Sequence, residues 1–157
     1  EEIKMKSNKG FTLIELLAVI VILAIIALIA TPTILSVIET ARKGSAESSA
    51  LGYIDALEKQ VAIDMLEDDS EKKLNISGSS ISLKEGKTLE VKGTVPEKES
   101  VYTYNAAKGT IGDSCLIVKL NENYYPIKYT ESNGKATAAE AQKAVADIDT
   151  TTCAKKA

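Results

Sequence analysis

Residues 9–32 read KGFTLIELLAVIVILAIIALIATP, and this stretch divides the chain into two unlike parts. From Leu16 to Ala30 there is no polar side chain, and across residues 11–38 only Glu15 is charged. A bilayer-spanning helix needs about 20 apolar residues. Phe11 to Ala30 supplies them before Thr31-Pro32-Thr33 interrupts the run. Everything after Ile38 is polar and mixed, so the mean hydropathy of the whole 157-residue chain is only -0.01. The reading is a membrane or assembly segment joined to a soluble domain.

Composition removes several function classes. The chain has 19 basic and 22 acidic residues, a net charge of -3. Binding the phosphate backbone needs a net basic face, so no nucleic-acid partner is expected for the chain itself. There is no histidine, hence no Ser-His-Asp, Cys-His or His-based zinc site. Two cysteines cannot build a four-cysteine zinc site either. No catalytic residue, metal or cofactor is assigned, and the chain is expected not to be an enzyme.

The first ten residues, EEIKMKSNKG, carry Lys4, Lys6 and Lys9 against two glutamates; Met5 offers an alternative start. A short basic patch before an apolar run keeps that end in the cytoplasm. A secretory signal peptide has a similar layout. Against it stand the length of the apolar run, Glu15 within it, and Leu28-Ile29-Ala30 where small residues would be wanted. A carboxylate at the centre of such a helix costs roughly 3 kcal/mol, less near its end. Two readings of Glu15 stay open. It snorkels to the headgroups, or it pairs with a cation. No lysine or arginine lies between Phe11 and Ala41. A free amino terminus at Phe11 would serve, if the chain is cut after Gly10.

Lys9-Gly10-Phe11-Thr12-Leu13-Ile14-Glu15-Leu16 resembles the class III signal of type IV pilins and related pseudopilins. The resemblance is near complete over residues 8–23 and extends over about 5–66, with Pro32 where many pilins carry a helix-bending proline. It implies that a prepilin peptidase cuts between Gly10 and Phe11 and that Phe11 is then N-methylated. It also implies that Glu15 neutralises the Phe11 amino terminus of a neighbouring subunit during filament assembly. The implied partners are further copies of the chain in a helical homopolymer and cytoplasmic-membrane lipids before assembly. An assembly platform protein and cytoplasmic ATPases would act indirectly. The implied location is the cytoplasmic membrane first, as a single-pass protein, and a cell-surface pilus afterwards, serving adhesion, surface motility or aggregation. A minor pilin or pseudopilin of a secretion or DNA-uptake machine shares the same signal. A membrane-anchored binding or enzyme domain is the remote alternative. Many pilins carry a glycine midway between the acid and the proline; here none lies between Leu16 and Thr31.

After Pro32 the apolar residues continue as Ile34, Leu35, Val37, Ile38 and Ala41 and resume as Ala46, Ala50, Leu51, Ile54, Leu57, Val61 and Met65, with spacings of three and four recurring. That is one face of a helix, here expected to run from 11 to about 67, roughly 85 Å at 1.5 Å per residue. Pro32, Gly44 and Gly52 are candidate bends, and two helices hinged near Gly44 are the alternative. From residue 73 the period becomes two. Strands are expected at 74–76, 81–83, 89–91, 101–104, 114–120 and 124–130. Pro126 marks the last as an edge strand. Thr137 to Ala146 has the composition of a short helix. The fold class is α+β: a long N-terminal helix packed on a small antiparallel sheet, with a disulfide-closed C-terminal loop. The organisation is a cleaved leader at 1–10, an apolar helical half at 11–38 and a soluble domain at 39–157. In an exported domain Cys115 and Cys153 favour one disulfide; two free buried thiols are the alternative. Tyr102, Tyr104, Tyr124, Tyr125 and Tyr129 read as strand packing or as an adhesive surface.

Overall fold

The computed structural model describes residues 10–157. Apart from Gly10, the leader and the alternative start at Met5 lie outside the described residues. The chain forms two compact units, one ending at Glu39 and the other running Thr40–Ala157. A single helix, α1 (Leu13–Asp64), contributes to both. The hinge near Gly44 is not realised: Pro32, Gly44 and Gly52 all lie within α1.

In the first unit α1 is built from Leu, Ile, Val and Ala, and its side chains are exposed from Leu13 to Ile29. The second half is amphipathic. Ala46, Ala50, Tyr53, Ile54, Leu57, Gln60, Val61 and Asp64 are buried, at spacings of one, three and four. At Gly52 the Lys92 carbonyl lies 3.6 Å from where a Cβ would stand, an ordinary contact distance. The loop makes this approach through Gly93, at φ +112°, where a Cβ would come within 3.1 Å of the Ser49 hydroxyl. α1 ends at Asp64 rather than 67 because the Asp64 carboxylate caps the chain beyond the helix. It accepts hydrogen bonds from the Lys73 and Leu74 amides at 3.0 and 2.8 Å and from Gln60 Nε2 at 2.6 Å.

Strands β1 (Leu74–Ser77), β2 (Ser80–Leu83), β3 (Tyr102–Asn105) and β4 (Thr110–Ile111) form an antiparallel sheet in that order. A second antiparallel sheet has the order β5 (Ser114–Leu120), β6 (Asn123–Thr130), β7 (Lys135–Ala138). A bridge between Val101 and Cys115 links the two. β8 (Ile148–Asp149) and β9 (Ala154–Lys155) make a small C-terminal hairpin. The core gathers α1's buried face with Leu74, Ile81, Tyr104, Ile111, Leu116, Val118, Tyr125, Ile127 and Tyr129. Two α1 carboxylates tie the helix to the sheets. Glu58 Oε1 accepts from the Ile111 amide at 3.0 Å, and Glu47 Oε1 from the Ala138 amide at 2.7 Å.

Three expectations are corrected. Pro126 is in the central strand of its sheet, not at an edge. It is tolerated because β6–β7 pairing begins one residue later, at Ile127↔Ala138, and the Pro126 carbonyl accepts from the Ala139 amide at 2.9 Å. The missing amide of Pro126 thus faces a break in the pairing, between Ile127↔Ala138 and the isolated bridge Tyr124↔Gln142. Second, no helix spans 137–146. Lys135–Ala138 is strand, and only Val145–Asp147 makes a 3-10 turn. The alanines that favour a helix are instead recruited by the core, where Ala136, Ala138 and Ala141 pack, and Gln142 exchanges backbone hydrogen bonds with Tyr124. Third, Leu89-Glu90-Val91 belongs to no strand; Leu89 and Val91 pack on the core from an irregular loop.

The cysteines are bonded. Cys115 in β5 and Cys153 in the tail form a disulfide, with Cα atoms 5.4 Å apart and a sequence separation of 38. Closing a loop of that size contributes about 4 kcal/mol in the chain-entropy model. Within β5, Leu116 and Val118 point to the helix-side core and Cys115 and Ile117 to the other face, by strand alternation. The disulfide fastens the tail to that second face. The α+β class with a long N-terminal helix stands as expected.

Candidate processing and assembly site

The residues of the anticipated site lie at the start of α1. Gly10, Phe11 and Thr12 precede the helix, whose first residue is Leu13. The Gly10–Phe11 bond is therefore in non-helical chain. Phe11 is the only phenylalanine in the sequence and is 89% exposed. Among the described residues, a Cβ at Gly10 would meet nothing within 4 Å. Packing within those residues gives no reason for a glycine there.

Glu15 and Thr12 bond reciprocally. Glu15 Oε2 accepts from the Thr12 amide and from the Thr12 hydroxyl, each at 2.8 Å, while Thr12 Oγ1 accepts from the Glu15 amide at 3.3 Å. This is a capping box, in which a helix's N-cap threonine and its third residue satisfy each other's open donors. The negative charge also sits at the positive end of the helix dipole. Sequence reading passed over Thr12, although Thr-x-x-Glu before an apolar run is the signature of this motif.

Beyond the cap the helix offers apolar surface on every side. Its most apolar 18-residue window has a mean hydropathy of 3.2 and none of it is buried. It is long and apolar enough to cross a bilayer. Pro32 sits inside α1, where its ring removes one helical hydrogen bond. Neighbouring hydroxyls turn inward to the backbone: Thr31 donates to the Ala27 carbonyl at 2.6 Å and Ser36 to the Thr33 carbonyl at 2.8 Å.

Residues 5–31 match the family model described as the prokaryotic N-terminal methylation motif. The chain carries a type IV pilin-like class III signal. The signal supports a type IV pilin- or pseudopilin-like protein, and together with the apolar helix it is consistent with a membrane-anchored precursor. No curated protein and no solved structure matches the chain. The family likeness thus rests on residues 5–31; the unit Thr40–Ala157 lies outside the match.

There the remaining candidates divide clearly. The tyrosines serve packing: Tyr53, Tyr104, Tyr125 and Tyr129 are buried, and the Tyr53 and Tyr102 rings stand 5.6 Å apart. Burial pushes the Tyr102 hydroxyl above its ordinary range. Tyr124 is half-buried and lies under the Lys119 ammonium, 5.1 Å from its ring centroid. Asp69, from the acidic run after α1, pairs with Lys72 at 2.6 Å on the surface. The densest polar cluster is at Glu131, whose carboxylate accepts from Lys108 at 2.9 Å, Asn105 at 3.1 Å and Thr110 at 3.0 Å. These donors, Lys108 first, hold its carboxyl below the usual range. Their geometry explains a clasp between the β3–β4 turn and the end of β6 and needs no ligand.

Proposed function

We propose that this chain is a structural subunit, not an enzyme, that is cut between Gly10 and Phe11 by a prepilin peptidase and polymerises through its N-terminal helix into a surface filament. The observation that carries the reading is the class III signal on a helix whose apolar surface is unburied across residues 13–29. Apolar surface of that kind is at home in lipid, and equally among identical helices. One segment therefore serves first as membrane anchor and then as fibre core. After the cut, Phe11 carries an amino terminus that is N-methylated. The Glu15 carboxylate of one copy neutralises the Phe11 amine of another, in surroundings where an unpaired charge is costly. Pro32 bends the helix. Membrane lipids, the peptidase, an assembly platform protein and its ATPases are the partners. The stapled soluble unit, Thr40 to Ala157, serves adhesion, motility or aggregation.

Replacing Glu15 by valine tests this. The Glu15→Val chain is expected to be made and inserted but to remain in the membrane fraction, while the parent chain appears in material sheared from cells. Equal filament yield from the two would overturn the pairing role. A parent chain that never leaves the membrane would instead favour the pseudopilin reading.

A further inference from the structure

The turn between β6 and β7, residues 131–134, is exposed and contains the pair Asn133-Gly134. We propose that Asn133 is a self-modification site. The Gly134 backbone nitrogen attacks its side-chain amide, and the residue converts to aspartate and isoaspartate without an enzyme. This does not depend on the filament reading.

Three observations carry it. Asn133 alone among the asparagines is followed by glycine, so no side chain stands beside the attacking nitrogen. Gly134 is at φ +62°, and a Cβ there would meet nothing within 4 Å, so the nitrogen has open space around it. Second, Asn133 Oδ1 accepts from the Lys135 amide at 3.0 Å. That bond closes a ring containing both Asn133 Cγ and the Gly134 nitrogen, which keeps the reacting atoms together. It also sets a donor on the oxygen where negative charge develops during attack. Third, the Gly134 amide is only loosely engaged. It donates to the Glu131 carbonyl at 3.3 Å, just past the usual range.

The step balances. The Gly134 nitrogen gives its proton to solvent and bonds to Asn133 Cγ. The Cγ–Nδ2 bond breaks and that nitrogen leaves as ammonia, which closes a succinimide. One water then opens the ring. Opening at the side-chain carbonyl gives aspartate on an ordinary backbone. Opening at the main-chain carbonyl gives isoaspartate, with the backbone rerouted through the former side chain. Nothing is oxidised or reduced. Either product adds one negative charge to a chain whose net charge is -3. Aspartate keeps an acceptor for the Lys135 amide. Isoaspartate adds a methylene to the backbone just before the Thr130↔Lys135 pair, where β7 begins.

The test incubates the full chain in detergent at mildly alkaline pH, beside the same chain unfolded in urea. Mass spectrometry reads the tryptic peptide Tyr129–Lys135, in which Asn133 is the only side-chain amide. The parent peptide is expected to gain one mass unit with time and to separate into two isomers, one of which isoaspartyl methyltransferase labels. The folded chain is expected to react as fast as the unfolded one or faster. Gly134→Ala is expected to slow the reaction about ten-fold in both states, so a variant that folds poorly still reports. A folded parent that stays unmodified, or reacts more than about ten-fold more slowly than the unfolded chain, would overturn the proposal, because the turn would then protect Asn133. A heavier peptide containing aspartate alone would overturn it too, since a succinimide opens on both sides. So would a Gly134→Ala chain that reacts as fast as the parent.

Discussion

Asp64 shows how one buried carboxylate decides where an element ends. It is 4% exposed, yet it is fully engaged, receiving two backbone amides from the start of β1 and the Gln60 side chain. Its spacing puts it on the buried stripe, three residues after Val61, unlike Asp55 and Glu58; but its backbone partners at residues 73 and 74 lie outside the helix, so periodicity alone carries the helix on to 67. Removing it leaves several buried donors without a partner, each of which costs the desolvation of a polar group. Asp64→Ala is therefore expected to lower the unfolding free energy by about 3 kcal/mol, with Asp64→Asn intermediate. Urea denaturation of the full chain in detergent checks this. The midpoint should fall with the slope unchanged, and a shift within error of zero would refute the assignment. Thr12 and Glu15 behave alike in this respect. Their box is legible as Thr-x-x-Glu, but an acid in an apolar run points first to a distant cation and only second to the hydroxyl three residues before it.

Among the elements, the apolar half of α1 is the easiest to read as helix, because the consecutive apolar residues 16–30 are far longer than a buried strand. The amphipathic half and the β5–β6 hairpin are legible from their periods. The segment 135–146 misleads for a physical reason. Its alanines, Glu140, Gln142 and Lys143 favour helix locally. Yet the open side of β6 and the Glu47 carboxylate offer its amides better partners. Pro126 misleads in the complementary way, since edge position is only one means of hiding a missing amide. These pairings depend on residues far apart in sequence, Glu47 and Ala138 being 91 apart, and no local window contains them. The helix-to-sheet bond has a measurable worth. Glu47→Ala should destabilise the unit Thr40–Ala157 by about 2 kcal/mol, the range of a hydrogen bond to a charged group. Glu47→Gln, which keeps an oxygen acceptor, should lose less. Chemical denaturation of the two variants side by side decides it, and equal losses would show that the carboxylate oxygen is not what holds β7.

For the whole molecule, two units with opposite demands share one helix. Among its described residues the first leaves its apolar surface open; the second closes a small core with a disulfide and with α1's carboxylates. Such a division suits the proposed function, in which the chain is first a membrane anchor and later a fibre subunit, and the proposed cut at Gly10–Phe11 would separate the two stages. The most direct measurement is the mass of the N-terminal peptide, taken from sheared surface material and from membranes of the same cells. A processed filament subunit gives a peptide beginning at N-methylated Phe11 in the sheared fraction. An intact Lys9-Gly10-Phe11 junction in both fractions would refute that processing, because Glu15 would then have no amino terminus to neutralise.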